Sequence, residues 1–141
     1  MAVRINVALR NKILDAIFNS GSAVSIFDNG TIQFRTGAQT ATADDAKTGT
    51  VVATVALPAD AMAAASAGSI AKQGTWQDLA ADAAGTIGHA VFESQAGPGT
   101  YRMDVDVTQT GGGGTMTVDN PVLAVGQEFN VTAFSVTMPG T

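Results

Sequence analysis

The alternation of apolar and polar residues along 101–108 is the clearest pattern in the chain. These residues read Y-R-M-D-V-D-V-T, with an apolar residue at every odd position and a polar residue at every even one. Strand side chains alternate between two faces, whereas helical side chains repeat about every 3.6 residues. The segment therefore predicts a strand with one buried and one solvated face, in an antiparallel sheet.

A second strand signal surrounds Asn29 and Gly30, which lie between the runs A-V-S-I-F-D and T-I-Q-F-R-T. Asn-Gly favours a two-residue type I′ turn, because both central residues of that turn need positive φ. The pattern predicts a hairpin over residues 23–36, in which Phe27 lies opposite Ile32.

Further strands are predicted where β-branched and aromatic residues alternate with small or polar ones. These strands cover residues 50–57, 70–76, 88–95, 115–118 and 128–138. In the last of them the apolar parity changes between Ala133 and Phe134, which indicates a β-bulge or a strand that passes between two sheets. The alanine-rich segment 59–67 is predicted as a short helix around Met62.

Residues 6–19 carry the one extended helical pattern, N-V-A-L-R-N-K-I-L-D-A-I-F-N. Asn6 is a suitable N-cap, and Ser20-Gly21 would end the helix. We expect the helix to pack across the mouth of the β-structure through its apolar stripe. That stripe contains Leu9, Ile13, Ala16 and Ile17, and it is widened by Leu14 and Phe18.

About eight strands separated by short turns predict a mainly β fold, an antiparallel β-sandwich or jelly roll with one N-terminal helix. We expect a single domain over residues 1–141, with the helix at about 6–19 and the sandwich at about 23–139. A chain of 141 residues is long enough to bury a core without disulfides or structural metals.

Composition narrows the classes of partner. The net charge is −5 and the pI is about 4.4, which argues against nucleic acid as a general partner. No apolar run is long enough to span a bilayer, and polar residues interrupt the start of the chain where a signal peptide would need an apolar core. We therefore expect no membrane partner and a protein made in the cytoplasm.

Candidate catalytic residues are few. His89 is the only histidine, the chain has no cysteine, and no G-x-S-x-G motif is present to place a nucleophilic serine. Asp104 and Asp106, with Glu93 on a neighbouring strand, could form a two-carboxylate glycosidase site or a calcium site. We favour a solvated charged strand face in which Arg102 pairs with Asp104.

Two loops are also candidate ligand sites. The 37–49 loop carries Asp44 and Asp45, which could cap a turn or bind a cation, although they lack the ligand spacing of an EF-hand. The glycine run 111–114 lacks the Lys-Ser/Thr of a phosphate-binding loop and is predicted to be a hairpin tip.

Several residues are candidates for contacts with a partner. Arg4, Arg10 and Lys12 place three of the seven Lys and Arg residues at the start of the chain, where they would meet an acidic partner surface. Trp76 is the single tryptophan and is predicted to be an anchor in the core or in an interface.

Several different short motifs follow one another along the chain in a particular order. An L-R-N-x-I-L-D-A helix at 9–16 is followed by a T-G-A-Q turn within 34–39 and a T-G-T-V-V-A-T-V-A-L-P-A strand at 48–59. A glycine-rich hairpin and an A-x-G-Q-x-F-x-V-T-x-F strand at 124–134 close the series. In this order the chain resembles small structural proteins of tailed bacteriophages, and among them the capsid cement or decoration proteins. It departs from their pattern at Thr40, where proline is common, and in a longer stretch at 77–86.

The resemblance implies a non-enzymatic virion protein without a cofactor, which binds the assembled capsid and stabilises it. Its partners would be the major capsid protein lattice and a second copy of itself, with a homodimer favoured over a homotrimer. It would be located on the capsid surface of the virion after assembly in the host cytoplasm. The predicted contacts lie in the helix start, the 37–49 loop and the 111–114 tip, with these residues as candidates: Arg4, Arg10, Lys12, Asp44, Asp45 and Trp76.

Two alternatives remain open at this point. One is a tail or fibre-base protein of the virion. The other is a carbohydrate-binding sandwich displayed on the particle, which would use Trp76 or Tyr101 to stack on sugars.

Overall fold

The computed structural model describes residues 3–18, 26–96 and 100–140, and it is mainly β with one helix, α1, at Val7–Phe18. The strands in these ranges are β1 Thr31–Thr36, β2 Val51–Ala56, β3 Ser69–Ala71, β4 Gln77–Asp78, β5 Gly85–Glu93, β6 Arg102–Gln109, β7 Met116–Val118, β8 Val122–Leu123 and β9 Phe129–Thr137.

The strands form one curled mixed sheet with the shape of a half-barrel, in the order β2-β1-β5-β6-β7-β9-β3. Only β6 and β7 run parallel among the strand pairs of the described residues. The predicted mainly β class and single helix are confirmed, whereas the predicted sandwich or jelly roll is not. β9 pairs with β7 along one edge and with β3 and β4 along the other, so the chain extends a single sheet around the core.

The curl brings edge strand β2 close to β4, which pairs with β9. The backbone N–H of Thr54 in β2 donates to Oδ2 of Asp78 in β4 at 3.0 Å, and the Ala83 N–H donates to the Val52 carbonyl at 3.2 Å. Side-chain and loop contacts therefore link the β2 edge to β4 and, through β4, to β9. They also occupy backbone groups that an edge strand would otherwise expose.

Aromatic rings fill the concave side of the sheet. Trp76 is 1% exposed and packs against the rings of both Phe92 and Phe134, with centroid distances of 6.1 and 5.8 Å. Phe34 and Phe129 meet edge to face at 4.8 Å. Trp76 is therefore a core anchor that connects β5 to β9.

The predicted hairpin around Asn29 is wrong in its described part. Residues 26–30 form a bend and a turn, closed by the Gly30 N–H donating to the Phe27 carbonyl at 2.9 Å, and only Asn29 has positive φ, at 56°. β1 pairs with β2 on one edge and with β5 on the other, so neither edge is left for the preceding residues. Residues 23–25 of the predicted hairpin lie outside the described residues.

The predicted helix at 59–67 is also wrong. Ala63 N–H donates to the Ala71 carbonyl, and Gln73 N–H donates to the Ala61 carbonyl, so this segment lies antiparallel to the residues after β3. Pairing to an otherwise open edge has overridden the helix propensity of the alanines. The predicted helix stop at 20–21 lies outside the described residues.

The predicted irregularity in the last strand is confirmed. Thr117 pairs with Ala133, but Val118 pairs with Val131, so one residue of β9 is skipped and the register shifts. This bulge explains the change of apolar parity, because it turns Phe134 back toward the core after Val131.

Candidate interaction site

A loop covers the outer face of the sheet where charged side chains project from β1, β5 and β6. This segment, residues 37–49, is called the covering loop. Its outermost residues 41–46 are all exposed, and polar contacts attach both of its ends to the sheet. The Arg35 guanidinium donates to the carbonyls of Thr48 and Gly49 at 3.1 and 2.9 Å.

Arg102 and Asp104 form the central contact of the covered face. The guanidinium of Arg102 pairs with both carboxylate oxygens of Asp104, and it donates to the backbone carbonyl of Asp45 at 2.6 Å. The Thr40 hydroxyl donates to Asp104 at 3.3 Å. The side chains of Arg102 and Asp104 are only 10% and 6% exposed. Their hydrogen bonding raises the pKa of Arg102 further above its ordinary value, so this cation is permanent.

Lys47 forms a second ion pair, with Glu93 of β5. The Glu93 carboxylate is buried, and the Lys47 side chain is 23% exposed. Burial, together with the positive charges of Arg35 and Arg102, holds the pKa of Lys47 below its usual range, and Asp104 opposes this effect. The pair joins the end of the covering loop to the middle of the sheet.

His89 lies fully buried at the other end of the covered face. Its Nδ1 is 3.0 Å from the Gly37 carbonyl oxygen, which fixes Nδ1 as the protonated nitrogen, and its Nε2 has no hydrogen-bond partner within the described residues. The neighbouring Gly88 makes room for this contact, because a Cβ there would lie 2.0 Å from the Gly37 carbonyl oxygen. His89 therefore holds the start of the covering loop.

The covered face differs from the solvated strand face that the alternation predicts. The predicted pairing of Arg102 with Asp104 is present, but the covering loop shields it from water. Of the three carboxylates in the glycosidase hypothesis, Glu93 and Asp104 are each paired with a cation, and Asp106 is exposed. Asp44 and Asp45 are exposed, and the Asp45 carboxylate accepts the Thr42 N–H at 3.0 Å, which makes it the cap of a turn.

The helix packs on the sheet with its buried face rotated away from the predicted stripe. Leu14 and Phe18 are buried, as is expected of residues beside the stripe, but Leu9 is 49% exposed and Ala16 is exposed. A 100° step per residue places Leu9, Lys12 and Ala16 together on the outward side. We call Leu9, Lys12 and Ala16, with the half-buried Ile13 between them, the outer helix face.

Polar residues replace the expected apolar ones on the inward side of α1. The Asn11 amide oxygen accepts the Gly68 N–H, and the Asp15 carboxylate accepts the Ala65 N–H, both at 2.8 Å. The Arg10 guanidinium donates to the Met138 carbonyl at 3.0 Å and lies against Gly68 and Gly140. These contacts fix the helix to the 65–69 turn and to the end of the chain without using the apolar stripe.

The candidate contact residues are thus spread over different environments. Lys12 is exposed on the outer helix face and Arg4 is exposed before the helix, whereas Arg10 is half-buried and bonded within the chain. Trp76 is buried in the core and presents no ring face to a sugar, while Tyr101 is 53% exposed. Sequence reasoning missed Leu9 as a surface residue, because apolar periodicity alone does not distinguish a core stripe from an interface stripe.

An open groove of about 600 Å³ separates the end of α1 from the covering loop. Ile17, Phe27 and Met103 form an apolar floor, and Lys47 and Tyr101 lie on its rim. Because this groove adjoins both the helix and the covering loop, the two regions form one continuous side of the molecule.

Comparison with protein-family models, with curated proteins and with solved structures found no match. Within the described residues, α1 is too short to cross a membrane. The same residues contain no group of three or more His, Asp or Glu side chains arranged to hold a metal ion.

Proposed function

We propose that this chain is a structural protein of a tailed bacteriophage, which binds the assembled capsid and stabilises it. The order of short motifs along the sequence supports the bacteriophage assignment. The outer helix face supports binding to a large partner, and it is the observation that carries the proposal.

The outer helix face combines an exposed leucine with a lysine on a helix that is firmly held from behind. An amphipathic helix normally turns its apolar stripe to its own core, and here that stripe is directed partly to solvent. Exposed apolar residues on a rigid element are typical of protein interfaces. A preorganised helix also loses little conformational entropy when it binds.

Capsid stabilisation would follow from repetition and from selective binding. A site that exists only where capsid subunits meet is bound only in the assembled lattice, and each occupied site then shifts the equilibrium toward assembly. Many modest contacts of this kind add up over a symmetric shell. The acidic character of the whole chain, with a net charge of −5, limits non-specific binding to packaged nucleic acid.

The direct test is co-sedimentation of the purified protein with capsids from which it has been stripped, compared with free major capsid protein. We expect saturable binding to shells, in proportion to the number of capsid subunits, and no binding to free subunits. Absence of binding to shells would overturn the proposal, and detection of the protein in purified tails would then favour the tail alternative.

Leu9→Asp tests the outer helix face within the same assay. We expect this variant to lose at least tenfold in shell affinity, because it places a charge in the centre of an apolar contact. Leu79→Asp is the matched control, since Leu79 is also exposed, at 64%, but lies between β4 and β5. If Leu9→Asp and Leu79→Asp bound shells with equal affinity, the outer helix face would be excluded as the contact with the capsid.

A further inference from the structure

Before the start of β7, no strand lies between β6 and β9 among the described residues, which leaves a gap between two strand edges. β7 pairs with β6 only at Val107–Gln109, and it pairs with β9 only between Val131 and Phe134. Among the described residues, the strand pairings give no neighbour on this side to residues 102–106 of β6 or 135–137 of β9. The gap is a cleft of about 530 Å³.

Apolar and polar side chains alternate along the edges of the gap, as pairing with an added strand requires. Met103, Val105 and Val136 are directed toward the core side, and Met103 and Val136 remain partly exposed there. Asp106 and Thr137 line the opposite, solvated side, and the Asp106 carboxylate accepts the Thr115 N–H at 3.2 Å there. A strand placed in the gap would therefore need apolar residues at alternate positions and polar or basic residues between them.

The segment before α1, residues 3–6, has this pattern. It reads V-R-I-N and belongs to no helix or strand, and Val3 is 86% exposed while Arg4 is also exposed. Four residues of strand span about 13 Å, and the five-residue edge of β6 spans about 16 Å, at roughly 3.3 Å per residue. The segment therefore fits the gap in length as well as in pattern.

We propose that residues 3–6 of one copy enter the gap of a second copy as an added β-strand. Val3 and Ile5 would cover Met103 and Val136, and Arg4 would face the carboxylate of Asp106. The exposure of Val3 shows that a chain does not place this segment in its own gap. Reciprocal insertion closes a two-fold dimer, because each copy donates one strand and accepts one. The dimer does not depend on capsid binding, and either proposal can fail alone.

Thiol cross-linking tests the pairing directly, since the chain has no cysteine of its own. A chain carrying Arg4→Cys is mixed with a chain carrying Thr137→Cys and treated with a short bis-maleimide. We expect a covalent dimer that contains one chain of each kind. The control replaces the Thr137→Cys chain by one carrying Ala84→Cys at an exposed site away from the gap, and it should give only background cross-linking.

Cross-linking equal to the Ala84→Cys control would overturn the proposal. So would a double variant, Arg4→Cys with Thr137→Cys on one chain, that cross-links within the chain at high dilution, because this would show that the segment occupies its own gap.

Sedimentation equilibrium supplies a second measurement on uncross-linked protein. Ile5→Pro removes a backbone N–H and should abolish the dimer, whereas Ile5→Val keeps the strand and should preserve it. Arg4→Asp and Asp106→Arg should each raise the dimer Kd severalfold. A mixed dimer with one chain of each kind should regain both contacts, one as the original Arg–Asp pair and one with its charges exchanged. An Ile5→Pro protein with an unchanged thermal transition and an unchanged dimer Kd would exclude strand donation, as would a monomeric wild-type chain.

Discussion

Gly88 lies where the β5 backbone approaches the start of the covering loop most closely. A Cβ at this position would lie 2.0 Å from the Gly37 carbonyl oxygen, the same oxygen that contacts His89. We expect Gly88→Ala to displace the loop and lower the free energy of unfolding by about 2–3 kcal/mol. Urea denaturation followed by circular dichroism measures the change.

Gly37→Ala is the matched control for that substitution. Gly37 has a φ of 77°, but a Cβ there would meet nothing within 4 Å. Only the backbone strain of a positive φ remains for Gly37→Ala, and it should lower the free energy of unfolding by about 1 kcal/mol. If Gly37→Ala were the more damaging change, close packing at Gly88 would not be what holds the loop.

The Lys47–Glu93 pair should respond asymmetrically to loss of either partner. Lys47→Met leaves a buried carboxylate without its cation, whereas Glu93→Gln leaves a partly exposed ammonium that water can solvate. We expect a loss of about 2 kcal/mol for Lys47→Met and a loss about half as large for Glu93→Gln. A double-mutant cycle measured by thermal unfolding gives the coupling, and equal single losses would contradict the burial argument.

Sequence reasoning succeeded where partner residues are close together in the chain. The Asn6 cap of α1 is present, with the Leu9 N–H donating to its side chain at 2.9 Å, and Arg102 pairs with Asp104 two positions away. The contact of Arg102 with the Asp45 carbonyl spans 57 residues. No local pattern predicts which loop lies over which strand, so the shielding of this face could not be foreseen.

At the scale of elements, Asp78 of β4 holds the edge of strand β2. Its carboxylate accepts the N–H of Thr54 in edge strand β2 and also the N–H of Ala80. We expect Asp78→Ala to cost about 1–2 kcal/mol and to increase aggregation, because it frees a strand edge. Denaturation and light scattering measure the two effects.

Asp82→Ala tests whether the position of the carboxylate matters. Among the described contacts, the Asp82 carboxylate accepts a hydrogen bond only from the Thr54 hydroxyl, at 3.1 Å. Its removal leaves the bond from the Thr54 backbone N–H to Asp78 intact. Asp82→Ala should lower the free energy of unfolding by no more than about 0.5 kcal/mol. Equal aggregation by both variants would show that edge protection does not depend on the bond to the Thr54 backbone.

The long strands could be predicted because their alternation is long enough to exceed chance. Strand β6 matches the 101–108 pattern closely, and β2 matches the predicted 50–57 strand. β4 and β8 have two residues each, which is too short for any period to appear. The face that α1 buries was mispredicted because Arg10, Asn11 and Asp15 all find hydrogen-bond partners that only the tertiary structure brings near.

At the scale of the whole molecule, the core depends on the meeting of β5 with β9. Phe134 lies 2% exposed and its ring contacts those of Trp76 and Phe92, at 5.8 and 5.0 Å. We expect Phe134→Ala to lower stability by about 3–5 kcal/mol through the cavity it creates. Val122→Ala, at a 59% exposed site, should cost less than about 0.5 kcal/mol. A small loss at Phe134 would mean that neighbouring residues collapse into the space.

The global topology explains why a sandwich was predicted and a curled sheet is present. Strand count and spacing are similar for the two architectures, and they differ in which strands pair across long stretches of chain. Long-range pairings of this kind include the parallel pairing of β6 with β7 and the pairing of β9 along both of its edges. They depend on long-range packing that no local sequence pattern reports.

The single tryptophan gives the molecule a built-in optical probe. Its indole packs against rings from β5 and β9 in a dry site, with the Lys72 ammonium 5.6 Å from its ring centroid. Indole emission moves to longer wavelength when water reaches the ring, so any loosening between these two distant parts of the chain changes the colour of the emitted light. Opening of this part of the core can therefore be followed in real time without a dye.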